Sequence, residues 1–100
     1  MKRQVNTSAF KFKYLANSSE ISVTQLNVNK RVKIGYNYKY DTIELIERIL
    51  DKIDKIVSYN VVIDNTQNDY YLINFATSEN DIPDLTQEIK SVAKEIKKEI

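Results

Sequence analysis

The sequence predicts an α+β fold: a two-layer sandwich of one five-stranded antiparallel sheet with two helices on one face, in the order β-β-β-α-β-β-α. Three observations predict it. Apolar residues alternate with polar ones in three early runs, near residues 10–14, 21–28 and 32–40. Two later runs, near 59–63 and 71–75, do the same. Between and after them, two stretches repeat their apolar residues every three or four positions, the period of an amphipathic helix. A chain of 100 residues can bury one core and not two, so 1–100 reads as a single domain, with 1–7 expected as a flexible N-terminal extension.

In the first strand, Phe10, Phe12 and Tyr14 alternate with Lys11 and Lys13. Ile21 and Val23, then Leu26 and Val28, form the second, with a change of parity between the pairs. Val32, Ile34, Tyr36, Tyr38 and Tyr40 form the third, against Arg31, Lys33, Gly35, Asn37 and Lys39. A two-residue turn at Asn17-Ser18, where Asn tolerates positive φ, sets Tyr14 opposite Ile21 and Phe12 opposite Val23. A loop of Asn29-Lys30-Arg31 sets Val28 opposite Val32 and Leu26 opposite Ile34. The parity change at Thr24-Gln25 then falls opposite Gly35 and reads as a β-bulge.

Asp41 and Glu44 have capping-box spacing before the stripe Ile43, Ile46, Ile49, Leu50, Ile53, Ile56, Val57, which predicts the first helix. Glu44–Arg48 and Asp51–Lys55 are spaced as i,i+4 ion pairs. Tyr59, Val61 and Ile63 predict the fourth strand, and Tyr71, Ile73 and Phe75 the fifth. A five-residue loop between them sets Ile63 opposite Tyr71 and Val61 opposite Ile73, leaving Val62, Tyr70 and Leu72 on the other face. Pro83 suits the start of a second helix, with Asp81 and Asp84 as its caps and Leu85, Ile89, Val92, Ala93, Ile96 and Ile100 as its buried stripe.

Several chemistries drop out on composition. With no Cys and no His, the chain has no disulfide, no thiol nucleophile, no imidazole base and no thiolate or imidazole metal ligand. A single Gly excludes a Gly-rich phosphate loop. Asp64, Thr66 and Asn68 imitate the start of a calcium loop, but Asp69 stands where Gly is needed and Phe75 where Glu is needed. No spacing of the remaining acids, lysines or hydroxyls points to catalysis, so the expectation is a non-enzymatic protein without cofactor or metal. The first residues lack the apolar run of a signal peptide and no stretch is long enough to span a bilayer, which predicts a cytoplasmic protein without membrane contact. Near the C-terminal end, Glu95 and Glu99 interleave with Lys94, Lys97 and Lys98, which reads as a solvated helix face.

Charge is where the sequence is most informative. The formal net charge is +1, yet residues 1–40 hold eight cations and one anion, while 41–100 hold seven cations and thirteen anions. Ile, Lys and Asn contribute 13, 12 and 10 residues, the mark of an AT-rich coding sequence, which inflates the lysine count but cannot sort charges along the chain. The predicted strands place Lys11, Lys13, Arg31, Lys33 and Lys39 on the sheet face away from the helices, among Ser22, Gln25, Asn27, Asn37, Asn60 and Asn74. Beside them lie Leu15, Val62, Tyr70 and Leu72, an apolar cluster that no predicted helix covers. An open sheet must in any case show water a polar face. Beyond that requirement, this surface, together with the exposed edge of the sheet, reads as the docking site of a protein partner, another protein or a second copy. Contacts would come from Val62, Tyr70 and Leu72, and selectivity from the cations. The alternative is a nucleic-acid-binding domain that holds phosphates with the same cations. Against it, the rings of the first and third strands point to the core and offer no stacking platform.

Overall fold

A computed structural model describes residues 6–37, 39–78 and 80–99. Five strands, β1 (Asn6–Leu15), β2 (Glu20–Gln25), β3 (Lys30–Gly35), β4 (Ile56–Asn65) and β5 (Tyr70–Thr77), form one antiparallel sheet in the order β3-β2-β1-β5-β4. Helix α1 (Thr42–Asp51) links the two edge strands, and α2 (Thr86–Lys98) follows β5. Buried side chains of both helices and of the sheet form one cluster, so the two helices share one face, as the sequence predicts.

The centre of the sheet follows the alternation. Phe10 and Phe12 are fully buried, and Phe10 stacks on Phe75 with centroids 4.2 Å apart. Tyr14 lies opposite Ile21 and Phe12 opposite Val23, in the predicted register. The turn that sets it is longer than two residues, spanning Ala16–Ser19, and Ser19 rather than Asn17 takes the positive φ, at 53°. Asn6 and Thr7, expected in a flexible extension, instead pair with Thr77 and Ala76; Met1–Val5 lie outside the described residues.

The β2–β3 hairpin departs from expectation. β2 stops at Gln25, and Leu26–Asn29 make the turn, with Asn29 at φ 53°. Val23 therefore meets Val32, Ile21 meets Ile34, and Gly35 pairs with Glu20. There is no bulge at Thr24-Gln25, because Leu26 and Val28 never join the sheet; Leu26 is exposed. β3 ends at Gly35. Tyr36 and Tyr40 pack against the core from the following segment, and Tyr38 lies outside the described residues.

In α1 the Asp41 carboxylate accepts the Glu44 N–H at 2.8 Å, as the capping spacing implies. The apolar stripe outruns the helix: Ile53 is buried in the turn after it, and Ile56 and Val57 belong to β4. The Glu44–Arg48 pair forms, at 3.7 Å. The Asp51–Lys55 pair does not, because the helix has ended; Asp51 accepts the Tyr59 hydroxyl at 2.7 Å and Lys55 meets Glu88 at 3.4 Å. α2 starts at Thr86, after Pro83, with the Asp84 carboxylate accepting the Thr86 N–H at 2.9 Å.

Across β4 and β5, Val61 meets Ile73 as predicted, but Ile63 meets Leu72 rather than Tyr71. The ladder shifts at Val62, and a second shift falls at Val57. One extra residue flips the parity beyond it. Ile63, expected in the core, thus comes to the open face, and Asp64 turns to the helix side opposite Tyr71.

Candidate functional site

Cross-strand pairing fixes which side chains stand together on the face the helices leave open. One row runs Lys33, Ser22, Lys13, Tyr70, Asn65, and the next runs Arg31, Thr24, Lys11, Leu72, Ile63. Four of the five predicted cations are thus gathered into two ranks. Neighbouring strands lie about 4.8 Å apart and same-face neighbours along a strand about 7 Å. Lys11, Lys13, Arg31 and Lys33 therefore sit within roughly a Debye length of one another, and their fields add. Glu20, opposite Gly35, is the one acid that the ladders of β1–β3 hold among the described residues.

The fifth cation is elsewhere. Because β3 ends at Gly35, Lys39 lies in the segment before α1, with its ammonium 5.6 Å from the Tyr40 ring, which also carries the Arg48 guanidinium at 4.2 Å. Gln25, Asn27 and Asn37 also leave the open face. Asn37 is buried and accepts the Lys39 N–H. Gln25 is fully buried on the helix side: its carbonyl accepts the Leu85 N–H at 2.7 Å, and its amide donates to Pro83 O at 2.7 Å and Asn27 Oδ1 at 2.8 Å. Asn27 donates in turn to Ile82 O at 3.2 Å. These amides fasten the start of α2 to β2; they are structural.

Of the predicted apolar cluster, Tyr70 and Leu72 are half-buried on the open face, opposite Lys13 and Lys11. The Lys11 ammonium lies 4.9 Å from the Tyr70 ring centroid. Val62 is exposed on β4, and Ile63 joins Leu72 beside it. Leu15 is half-buried, opposite Glu20.

On α2 the two signs that interleave in sequence at Lys94, Glu95, Lys97 and Glu99 separate onto different faces. Lys90, Lys94 and Lys97 repeat at four and three residues, which puts them on one helix face. Glu88, Glu95 and Glu99 fall on the opposite side. Glu88 and Glu99 turn towards the α1 side, where they meet Lys55 and Lys52 at 3.4 Å each. The lysines turn towards β3. With Lys33 they line a shallow groove of about 180 Å³, floored by Ile34 and Ala93. Lys33, Lys90, Lys94 and Lys97 make no ion pair among the described residues. A helical wheel could have separated the two stripes from sequence; which neighbour each would face could not be read there.

Three titrating groups respond to their surroundings. Partial burial, then the Asp51 hydrogen bond and the charges of Asp51 and Glu47, push the Tyr59 hydroxyl up to about 12. Partial burial and then the charges of Asp64, Asp41 and Asp69 raise Tyr71. The Thr86 hydroxyl and N–H hold the Asp84 carboxyl below its usual range, with Lys30 adding to the effect. Each shift belongs to a contact that holds the fold, and none lies on the open face.

Among the described residues no group of acids is arranged to hold a metal ion, and no helix is long and apolar enough to cross a membrane. No protein-family model matches the chain, and neither the curated proteins nor the solved structures yield a match.

Proposed function

We propose that the chain is a non-enzymatic binding protein, an inhibitor, adaptor or assembly subunit, that docks an acidic protein surface onto the cationic side of its sheet. The observation that carries this reading is the meeting of two cationic sets along β3. Lys11, Lys13, Arg31 and Lys33 approach it across the open face, and Lys90, Lys94 and Lys97 approach it from α2. One side of the molecule is thus positive in both layers, which favours fast, oriented encounter with an acidic partner. Tyr70, Leu72 and Ile63 stand beside the cations and supply apolar area that a protein partner can desolvate. Phosphates would meet the same cations. However, Tyr70 is the ring the open face offers, and Lys11 already lies over it, so bases have little to stack on.

The test compares capture from source-cell extract by the wild-type protein and by the triple variant Lys13→Glu, Arg31→Glu, Lys33→Glu. All three side chains contact solvent, so the fold should tolerate the change. The expected result is one defined protein partner, bound in a salt-sensitive way and at least about tenfold more weakly by the variant. Equal capture by the triple variant sinks the reading. Capture that disappears after nuclease treatment transfers it to nucleic acid.

A further inference from the structure

We infer that β4 is a self-pairing edge: two copies of this chain join β4 to β4, antiparallel, about a two-fold axis normal to the sheet at Asn60, making one continuous ten-stranded sheet. The inference concerns the edge opposite the cationic side and needs nothing from the partner proposed above.

The sheet has two edges, and only one is defended. β3 spans six residues and carries Lys30, Arg31 and Lys33, whose like charges oppose pairing with another β3. β4 spans ten residues, and among the described residues no strand pairs with its outer side. From Ile56 to Ile63 it contains no charge and no proline. Its apolar side chains are bare: Val57 is 55% exposed, Val61 39%, Val62 48% and Ile63 42%. Leu26 aside, these are the large apolar residues that the described molecule leaves exposed, and they sit on one strand.

Charge at the ends of this strand selects the occupant and the register. Lys55 precedes the uncharged stretch and Asp64 follows it. Antiparallel self-pairing brings the Lys55 end of one copy to the Asp64 end of the other, twice over; a parallel arrangement would oppose like charges. A two-fold axis normal to the sheet must set one residue opposite its own copy. The ladder to β5 shifts at Val57 and Val62, leaving Ser58–Val61 regular, with Tyr59 and Asn60 in the middle. Centring on Tyr59 would oppose Asp54 to the second copy's Asp64. Centring on Asn60 instead puts that Asp64 beside Lys55, Val57 opposite Ile63, and Tyr59 opposite Val61. Tyr59 and Val61 both lie on the helix side, opposite Phe75 and Ile73, so the faces agree. The same axis keeps both helix layers on one side and both cationic faces on the other.

The absence of cysteine makes the test direct. Opposed Cα atoms of an antiparallel pair lie about 4.5–5.5 Å apart, within disulfide reach. In the full chain, Asn60→Cys should convert to a disulfide-linked dimer under mild oxidation, and Arg31→Cys on the other edge should not. Light scattering of the wild-type chain should give the dimer mass at about 100 µM, a concentration that detects even weak association. Val61→Lys should weaken the dimer at least about tenfold with an unchanged circular dichroism spectrum. A wild-type protein that stays monomeric at that concentration, or Arg31→Cys cross-linking as readily as Asn60→Cys, overturns the inference.

Discussion

β3 and β4 border the same sheet, yet they meet water in different ways. The β3 border is short, charged and roofed by α2, whose lead-in at Pro83 and Leu85 is held by amide hydrogen bonds from the buried Gln25. The β4 border is long, neutral and apolar, and its tie to α1 is the half-exposed Tyr59–Asp51 bond. The difference teaches that edge protection is local. Neutrality of the chain as a whole says nothing about either border, because Lys30, Arg31 and Lys33 stand on one while Ile56–Ile63 of the other carries no charge.

Substitutions can break this contrast, and the largest effect belongs to the β3 side. Gln25→Ala should lower unfolding free energy by about 2 kcal/mol in urea titration, since it leaves the buried Leu85 N–H and the half-buried Pro83 carbonyl without their partner. A loss well under that would mean α2 is held by packing alone. Asp84→Ala removes the carboxylate that accepts the Thr86 N–H at the start of the same helix and should cost about 1 kcal/mol near neutral pH. Because the folded Asp84 pKa lies below its unfolded value, its contribution is present above the unfolded value and disappears as pH falls through the folded one. Wild type and variant should therefore converge in stability once the pH has fallen below the folded value.

On the β4 side, Thr77→Val should stabilise the protein by about 1 kcal/mol. The Thr77 hydroxyl is buried with no hydrogen-bond partner among the described residues, and Val has nearly the same shape. Tyr59→Phe should cost less at neutral pH, and that cost should fade in alkali. The folded hydroxyl titrates near 12, so its contribution is complete below the unfolded value near 10 and is lost as pH rises through 12. Thermal melts of the two proteins from pH 8 to 12 should therefore draw together at the top of the range. Gly35→Ala sharpens the contrast by doing almost nothing. Its φ is not positive, and a methyl there would find only the Lys97 ammonium at 3.7 Å, so melting should move by less than about a degree.

The element order and the register of β1 against β2 were legible because Phe10, Phe12 and Tyr14 must share one face with Ile21 and Val23. The errors come from apolar residues that alternate without being strand. Leu26 and Val28 sit in a turn, and the tyrosines after Gly35 serve the core from irregular backbone. Removing them from the sheet cancelled the expected bulge and took Lys39 away from the cationic ranks. The real bulge, at Val62, lies in an uninterrupted Val-Val-Ile run where periodicity carries no phase. Gln25 shares the parity of Ile21 and Val23; the expected bulge moved it to the other face, whereas the backbone of Pro83 and Leu85, just ahead of α2, gives it partners indoors. The open face could be read from β1–β3; the lysine stripe of α2 joined it only once tertiary packing placed that helix beside β3.

β1 is the keel of the sheet. Its backbone is hydrogen-bonded along both sides, to β2 and to a β5 that arrives only after α1 and β4 have been laid down. Its amides can trade protons with heavy water only when the whole sheet opens, so exchange at Phe10 and Phe12 reports the global unfolding equilibrium. Among the described residues, no strand gives the outer amides of β4 such shelter. Their isotope uptake is a clock set by whatever, if anything, lies alongside.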